Sequence, residues 1–312
     1  MLKSNGGSGS QRADFGSPER PTGVGHDPAY AGDVADGRGA SNGRRMMIAA
    51  FEGWNDAADA ATSAIEHLER EWNVTPFAAI DPEDYYDYQV NRPTVRLVDG
   101  VSRRIDWPTT RLGLARAGET EVVLIRGLEP NMRWRAFCEE LTDFADELDV
   151  DRVVCLAALL ADVPHTRPID INGSASDEST ASALGLTRSR YEGPTGVVSV
   201  FHQALAETGR RVVTYWASVP HYVAQPPCPK ATLTLLHRVE DALDIAVPLG
   251  DLPEQALAWE NGVDELARED GEIADYIASL ERREDATALP EASGEAIAKA
   301  FERYLRRRDD TD

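Results

Sequence analysis

Val153-Val154-Cys155-Leu156-Ala157-Ala158-Leu159-Leu160, followed closely by Val163-Pro164-His165, is the stretch on which the fold turns. A short, unbroken apolar run that opens on β-branched residues reads as a strand buried on both faces. Proline cannot donate to a sheet ladder, so the strand is expected to end at it. The same pattern recurs at Val212-Val213-Thr214-Tyr215-Trp216-Ala217-Ser218 and Val219-Pro220-His221. The two histidines would then stand just beyond strand ends, where open α/β sheets form their clefts.

Further buried strands lie outward, at Met46–Phe51 and Glu121–Arg126. Helical spacing separates them: Ala61, Ile65, Leu68 and Trp72, then Trp134, Cys138, Leu141, Phe144 and Leu148. Gly196–Ala206 and Ala231–Leu243 also read as helices. The alternation predicts an α/β fold whose parallel or mixed sheet is covered by helices. Asp56 and Asn131 have the chemistry of helix N-caps. Arg92–Val98 reads as a strand and Asp99-Gly100 as a hairpin turn. Gly127-Leu128-Glu129-Pro130 reads as a loop, and residues 162–194 as a polar loop region with a short helix.

Residues 1–45 are rich in Gly, Ser, Asp, Pro and Arg and have almost no apolar pattern, so they are expected to be a disordered tail. The α/β core is expected to span 46–250, with a helical extension over 251–308 and disorder at 309–312. In the extension, Trp259, Val263, Leu266, Ile273, Ile277 and Leu280 repeat at three-four spacing, broken near Asp270-Gly271. A last helix is expected through Ile297, Phe301 and Leu305. Such a stripe is expected to pack on its own sheet domain, the alternative being a partner surface.

The formal net charge is −22. A surface this acidic repels phosphate backbones and anionic lipid, which argues against nucleic-acid or membrane partners. No apolar run is long enough for a membrane span and no signal-peptide core opens the chain, so a cytoplasmic location is expected. Cys138, Cys155 and Cys228 are too few and too far apart for a disulfide framework or a zinc ribbon. The lysines are Lys3, Lys230 and Lys299, which leaves little for lysine chemistry. The phosphate-loop, dinucleotide, nucleophile-elbow and HExxH motifs are all missing.

Three constellations remain. Asp162, His165 and His221 have the chemistry of a transition-metal site, although hydrogen-bonded loop histidines account for them better. Glu52-Gly53-Trp54-Asn55-Asp56 reads as a sharp turn with caps, or else as the polar floor of a pocket. Ser189-Arg190-Tyr191-Glu192-Gly193-Pro194-Thr195-Gly196 leads into a helix, either as a structural turn and cap or as a small-anion site.

Read together, several strings resemble the proteasome assembly chaperone 2 family in its actinobacterial-type branch. They are Gly53-Trp54-Asn55-Asp56-Ala57, Arg92-Pro93, Asp106-Trp107-Pro108, Glu129-Pro130-Asn131-Met132-Arg133-Trp134, Leu160–Pro168, Ser189–Gly196 and Val219-Pro220-His221-Tyr222-Val223. The resemblance implies a three-layer α/β/α domain of the phosphorylase/hydrolase-like kind, often oligomeric. Chaperones of this superfamily that dock on proteasome rings often end in hydrophobic-Tyr-any residue. This sequence ends Asp309-Asp310-Thr311-Asp312, so that docking mode is not expected to carry over. Fold alone does not carry function.

The expectation is a non-catalytic, homo-oligomeric scaffold or assembly factor, with a proteasome subunit as protein partner and with no cofactor or metal. The alternative is a small-molecule-binding or hydrolase-like protein using a polar cleft at the carboxyl edge of the sheet. Either would use the rim formed by Trp54, Asn55, Asp56, Glu129, Asp162, His165, Arg167, Tyr191, Glu192, His221 and Tyr222.

Overall fold

The computed structural model describes residues 45–186 and 191–287. The tail expected at 1–45 (Arg45 apart), the last helix through Phe301 and the residues Ser189 and Arg190 lie outside the described residues. Nine strands and seven helices are described: β1 Arg45–Glu52, α1 Ala60–Glu71, β2 Thr75–Ala79, β3 Thr94–Val98, β4 Ser102–Asp106, β5 Thr110–Ala117, β6 Thr120–Leu128, α2 Trp134–Glu147, β7 Val150–Ala161, β8 Ile171–Ala175, α3 Glu178–Ala183, α4 Val197–Glu207, β9 Arg211–Pro220, α5 Pro229–Leu243, α6 Leu252–Glu269 and α7 Gly271–Thr287.

Seven strands form one mixed sheet in the order β2-β5-β6-β1-β7-β9-β8. The central strands β6, β1, β7 and β9 are parallel, which is why they carry the unbroken apolar runs. The outer strands β5, β2 and β8 are antiparallel to their neighbours. The pleat sorts β1 between two cores. Met46, Ile48 and Ala50 face α1 and α5, packing with Ile65, Leu68, Leu236 and Val239. Met47, Ala49 and Phe51 face α2 and α4, where Phe51 meets Phe137 and Phe201 edge to face at ring distances of 5.8 and 6.0 Å. The result is the three-layer α/β/α sandwich, with α6 packed on α5 and α7 on α6.

The hairpin β3–β4 turns at Asp99-Gly100 as expected, with φ of 53° and 71°; Val98 pairs with Ser102, so the loop between the strands has three residues. Four local expectations are corrected. The region 162–194 holds a strand, β8: the segment Ile171-Asn172-Gly173-Ser174-Ala175 has no strand signature and becomes one by pairing along the open edge of β9. Gly127 and Leu128 belong to β6, because Thr110 of β5 pairs opposite Gly127. Asn131 caps no helix; Arg133, in left-handed conformation, precedes α2. Asn131 Oδ1 instead accepts from the Asp87 backbone N–H (2.8 Å) and Asn91 Nδ2 (2.9 Å). Leu266 is 59% exposed, and Val263 and Ala267 carry the buried face of α6. The break in the stripe is real, since Asp270 Oδ1 accepts from Glu272 N at 2.9 Å and starts α7. No helix among the described residues is long and apolar enough to cross a membrane.

Candidate functional site

Strands β7 and β9 run parallel with Ala161 opposite Pro220, so their two Val-Pro-His strings leave the sheet at the same end. Tyr222, in the 3-10 turn His221–Val223, stands against both imidazoles, at ring distances of 5.9 Å to His165 and 5.8 Å to His221. The His165 backbone N–H donates to the Tyr222 hydroxyl at 2.7 Å, and His165 Nδ1 lies 2.9 Å from that oxygen. A hydroxyl already accepting there directs its own proton to Nδ1. Nε2 then carries the ring proton and donates it to Asp264 Oδ1 of α6 at 3.1 Å. Burial pushes the Tyr222 phenol up to about 12, which keeps that proton in place.

This rim is roofed. His165 is 1% exposed, under Trp259 and Asp264 of α6. Lys230 Nζ donates to the His165 carbonyl at 2.6 Å and pairs with Glu260. Thr166 donates to Glu281 and Arg167 forks onto Asp285, so α7 is tied down as well. His221 Nδ1 sits 3.2 Å from Asp162 Oδ1, with Tyr276 of α7 against its ring at 5.4 Å. Both nitrogens of His165 are thus engaged within the protein, which leaves it no lone pair for a metal. Of these partners, Lys230 had a signal in the sequence as an isolated lysine. Asp264, Glu260, Glu281 and Asp285 had none, because each is one acid among many on an amphipathic helix.

A second cluster lies at the carboxyl end of β1. Gly53, at φ +116°, turns the chain out of the strand. The next residues return to β7, with the Ala158 N–H donating to the Asn55 carbonyl at 2.8 Å. Asp56 caps α1 from a distance: Oδ1 accepts from Ala61 N at 2.6 Å, and Oδ2 accepts from Thr62 N at 3.1 Å and from its hydroxyl. The left-handed residues Ala58 and Asp59 bend the intervening turn enough for that reach. Buried Asn55 donates to Glu129 Oε1 at 2.7 Å, and the same oxygen accepts from Val197 N, the first residue of α4, at 2.8 Å. Glu129 therefore fills the helix N-terminus where a bound anion would sit, and the small-anion reading of that turn is corrected. Tyr191 and Glu192 are exposed, and the Tyr191 hydroxyl donates to the Pro194 carbonyl at 2.8 Å. Trp54 is 65% exposed at the tip of the β1 turn.

Two measurable consequences follow from this cluster. A Cβ on Gly196 would lie 1.9 Å from Asn55 Oδ1, so Gly196→Ala should destabilise the protein by about 1–3 kcal/mol. Adding Asn55→Ala should recover part of that loss, a non-additivity readable by urea melts of the two single variants and the double variant. Burial pushes the Asp56 carboxyl up to about 6 despite its three hydrogen bonds. Between the ordinary aspartate value and about pH 6 the folded state holds a proton that the unfolded chain releases. The stability contributed there therefore falls as pH rises through that window. Relative to Asp56→Asn, the wild type should lose about 1 kcal/mol between pH 5 and 7, measured by denaturation at each pH.

The three thiols are buried, Cys138 and Cys155 pushed up to about 12 and Cys228 to about 11, which makes them inert. Two surface depressions, of about 290 and about 520 Å³, open at the other end of the sheet, beside Val150 and Arg211 and beside Arg152 and Leu243.

Comparison with known proteins agrees with this frame. No curated protein matches the chain. A PAC2 family protein of Streptomyces avermitilis is 56% identical with a TM-score of 0.71, over 74% of this chain and 99% of that one. A proteasome-assembly chaperone homologue of Mycobacterium tuberculosis is 54% identical with a TM-score of 0.70, over 74% and 99%. PbaB of Pyrococcus furiosus, an archaeal proteasome activator, shares the fold alone, at 12% identity and a TM-score of 0.58 over 71% and 93%. The model of the PAC2 family matches residues 50–267. On the match over most of its length and the identity to these relatives, the chain belongs to the PAC2 family.

Proposed function

We propose that this protein is a non-catalytic, oligomeric assembly factor of the chaperone kind, with a proteasome subunit as its client, working in the cytoplasm. The observation that carries the reading is how the carboxyl end of the sheet is used. An α/β enzyme would open a cleft there. In this chain His165 is roofed by α6, and Glu129 occupies the N-terminus of α4. The polar residues of the rim serve as fastenings between elements. Its exposed members, Trp54, Asp162, Tyr191, Glu192 and His221, face outward as a contact surface would. Kinship to a proteasome-assembly chaperone homologue supports the client class.

The test is affinity capture of the full chain co-expressed with proteasome subunits from its own source, read by mass spectrometry and by the yield of assembled rings. Retention of a proteasome subunit and faster ring formation are expected. A chain that retains none and leaves ring yield unchanged would overturn the reading.

One observation favours the alternative, a small-molecule pocket at the β1 end. Asn55 Oδ1 is buried and has no hydrogen-bond partner among the described residues. A ligand donor reaching that oxygen would show as a rise in melting temperature that Asn55→Ala abolishes.

A further inference from the structure

Strand β7 is apolar along its length except near its start, where Arg152 stands half-buried. In the parallel register Arg152 lies beside Arg211, the first residue of β9. Residues side by side in a parallel pair share a face, so two arginines leave the sheet together. Like charges placed this way repel each other unless something negative lies between them. Arg211 has Asp151, whose Oδ2 accepts from Nη2 at 2.7 Å. Arg152 makes no ion pair among the described residues. Its Nη1 reaches the Leu243 carbonyl at a long 3.4 Å, and its buried Nε has no partner among the described residues. A buried donor left unpaired calls for an acceptor.

Both arginines line the depression of about 520 Å³ at the amino end of the sheet, a volume suited to a small molecule. Its floor is apolar, made by Val154 and Val213 of the strands, with Leu184 following α3. Its far side is the end of α5. Asp241 and Asp244 stand there, Asp241 also 3.8 Å from Arg238, and the last carbonyls of the helix add partial negative charge. The charges select the ligand. A bare anion on the arginines would face the two acids and the helix end. A bare cation at the acids would face the two arginines. A molecule with a carboxylate and an ammonium on one carbon satisfies both sides, and an apolar side chain on that carbon covers the floor. A guanidinium takes a carboxylate through two parallel N–H bonds, and Arg152 has the donors to spare.

We propose that this depression binds an apolar α-amino acid, its carboxylate on Arg152 beside Arg211 and its ammonium at the Asp241–Asp244 end of α5. The site lies at the opposite end of the sheet from the two histidines and adds a small-molecule ligand to the function proposed above.

Isothermal titration of the full chain tests it with four probes: L-leucine, L-phenylalanine, isocaproate, which lacks the ammonium, and isoamylamine, which lacks the carboxylate. At least one of the two amino acids should bind at millimolar concentration or below and raise the melting temperature. Isocaproate and isoamylamine should bind about tenfold more weakly or worse. Arg152→Leu should abolish the heat of amino-acid binding, with its own melting curve as the check on folding. If that variant does not fold, Arg152→Lys keeps the charge without the fork and should weaken binding about tenfold. Asp241→Asn with Asp244→Asn should bring the amino acid down to the affinity of isocaproate. Absence of binding by either amino acid would overturn the inference and leave water as the partner of Arg152. So would isocaproate binding as tightly as the amino acid, amino-acid binding that the Arg152 variant leaves intact, or a preference for the amino acid that survives the double Asn variant. The assembly reading would stand through each of these results, since it uses the other end of the sheet.

Discussion

Gly127→Ala should be among the most damaging single substitutions in this protein, lowering stability by about 3–4 kcal/mol and the melting temperature by ~10 °C. A Cβ there would lie 2.3 Å from Thr110 Oγ1, 2.4 Å from Thr110 Cα and 2.7 Å from the Thr109 carbonyl. A rotamer change can move the hydroxyl, but no rotamer change moves a Cα. The start of β5 must therefore lift off β6, at the one point where the hairpin root, the Tyr86 hydroxyl and the sheet meet. Thermal and urea melts measure the loss. Adding Thr110→Ala, which removes the hydroxyl and the methyl but leaves the Cα in place, should recover little of it. A substantial rescue would show that the obstacle is the side chain and not the backbone.

Tyr222→Phe should cost about 2–4 kcal/mol, a large effect for the loss of one oxygen. That oxygen accepts from the His165 backbone N–H and donates its own hydrogen to Nδ1, so its removal strands two polar groups of a residue that is almost wholly buried. Denied a partner at Nδ1, the imidazole no longer holds the orientation that delivers Nε2 to Asp264, and the tie to α6 weakens as well. The predicted signature is twofold: a lower melting temperature, and faster proteolysis within α6 and α7 than within the sheet. Asp264→Asn removes the charge yet leaves an oxygen to accept from Nε2, so it should cost clearly less. Equal losses for the two variants would contradict the proton assignment drawn from the geometry.

The parts of this molecule that were legible in the sequence are those whose cause is local. The strands β1, β6, β7 and β9 announce themselves because parallel strands covered on both faces must be apolar throughout. Asp99-Gly100 announces the hairpin because few residues accept positive φ in succession. The two Val-Pro-His strings mark one edge of the sheet because both strands stop at the same level. Asp56 could be recognised as a cap, though not that it would reach across a turn to Ala61 and Thr62.

Other features come from contacts between segments distant in the chain. Strand β8 exists because β9 presents an unpaired edge, and its own residues favour no strand. Asn131 looked like a cap and instead clasps the loop at Asp87 and Asn91. Glu129 gave no sign of sealing α4, since its partners Asn55 and Val197 are 74 and 68 positions away. The histidines most of all took their meaning from the tertiary structure. Local pattern placed His165 and His221 beyond strand ends, where a polar cleft was as reasonable as a fastening. The packing of α6 and α7 over that edge decided between them, because burial obliges every polar atom of His165 to find a partner within the protein. Periodicity reports what one segment does with its own faces, whereas the partner of a buried donor is chosen by whichever segment the fold brings against it.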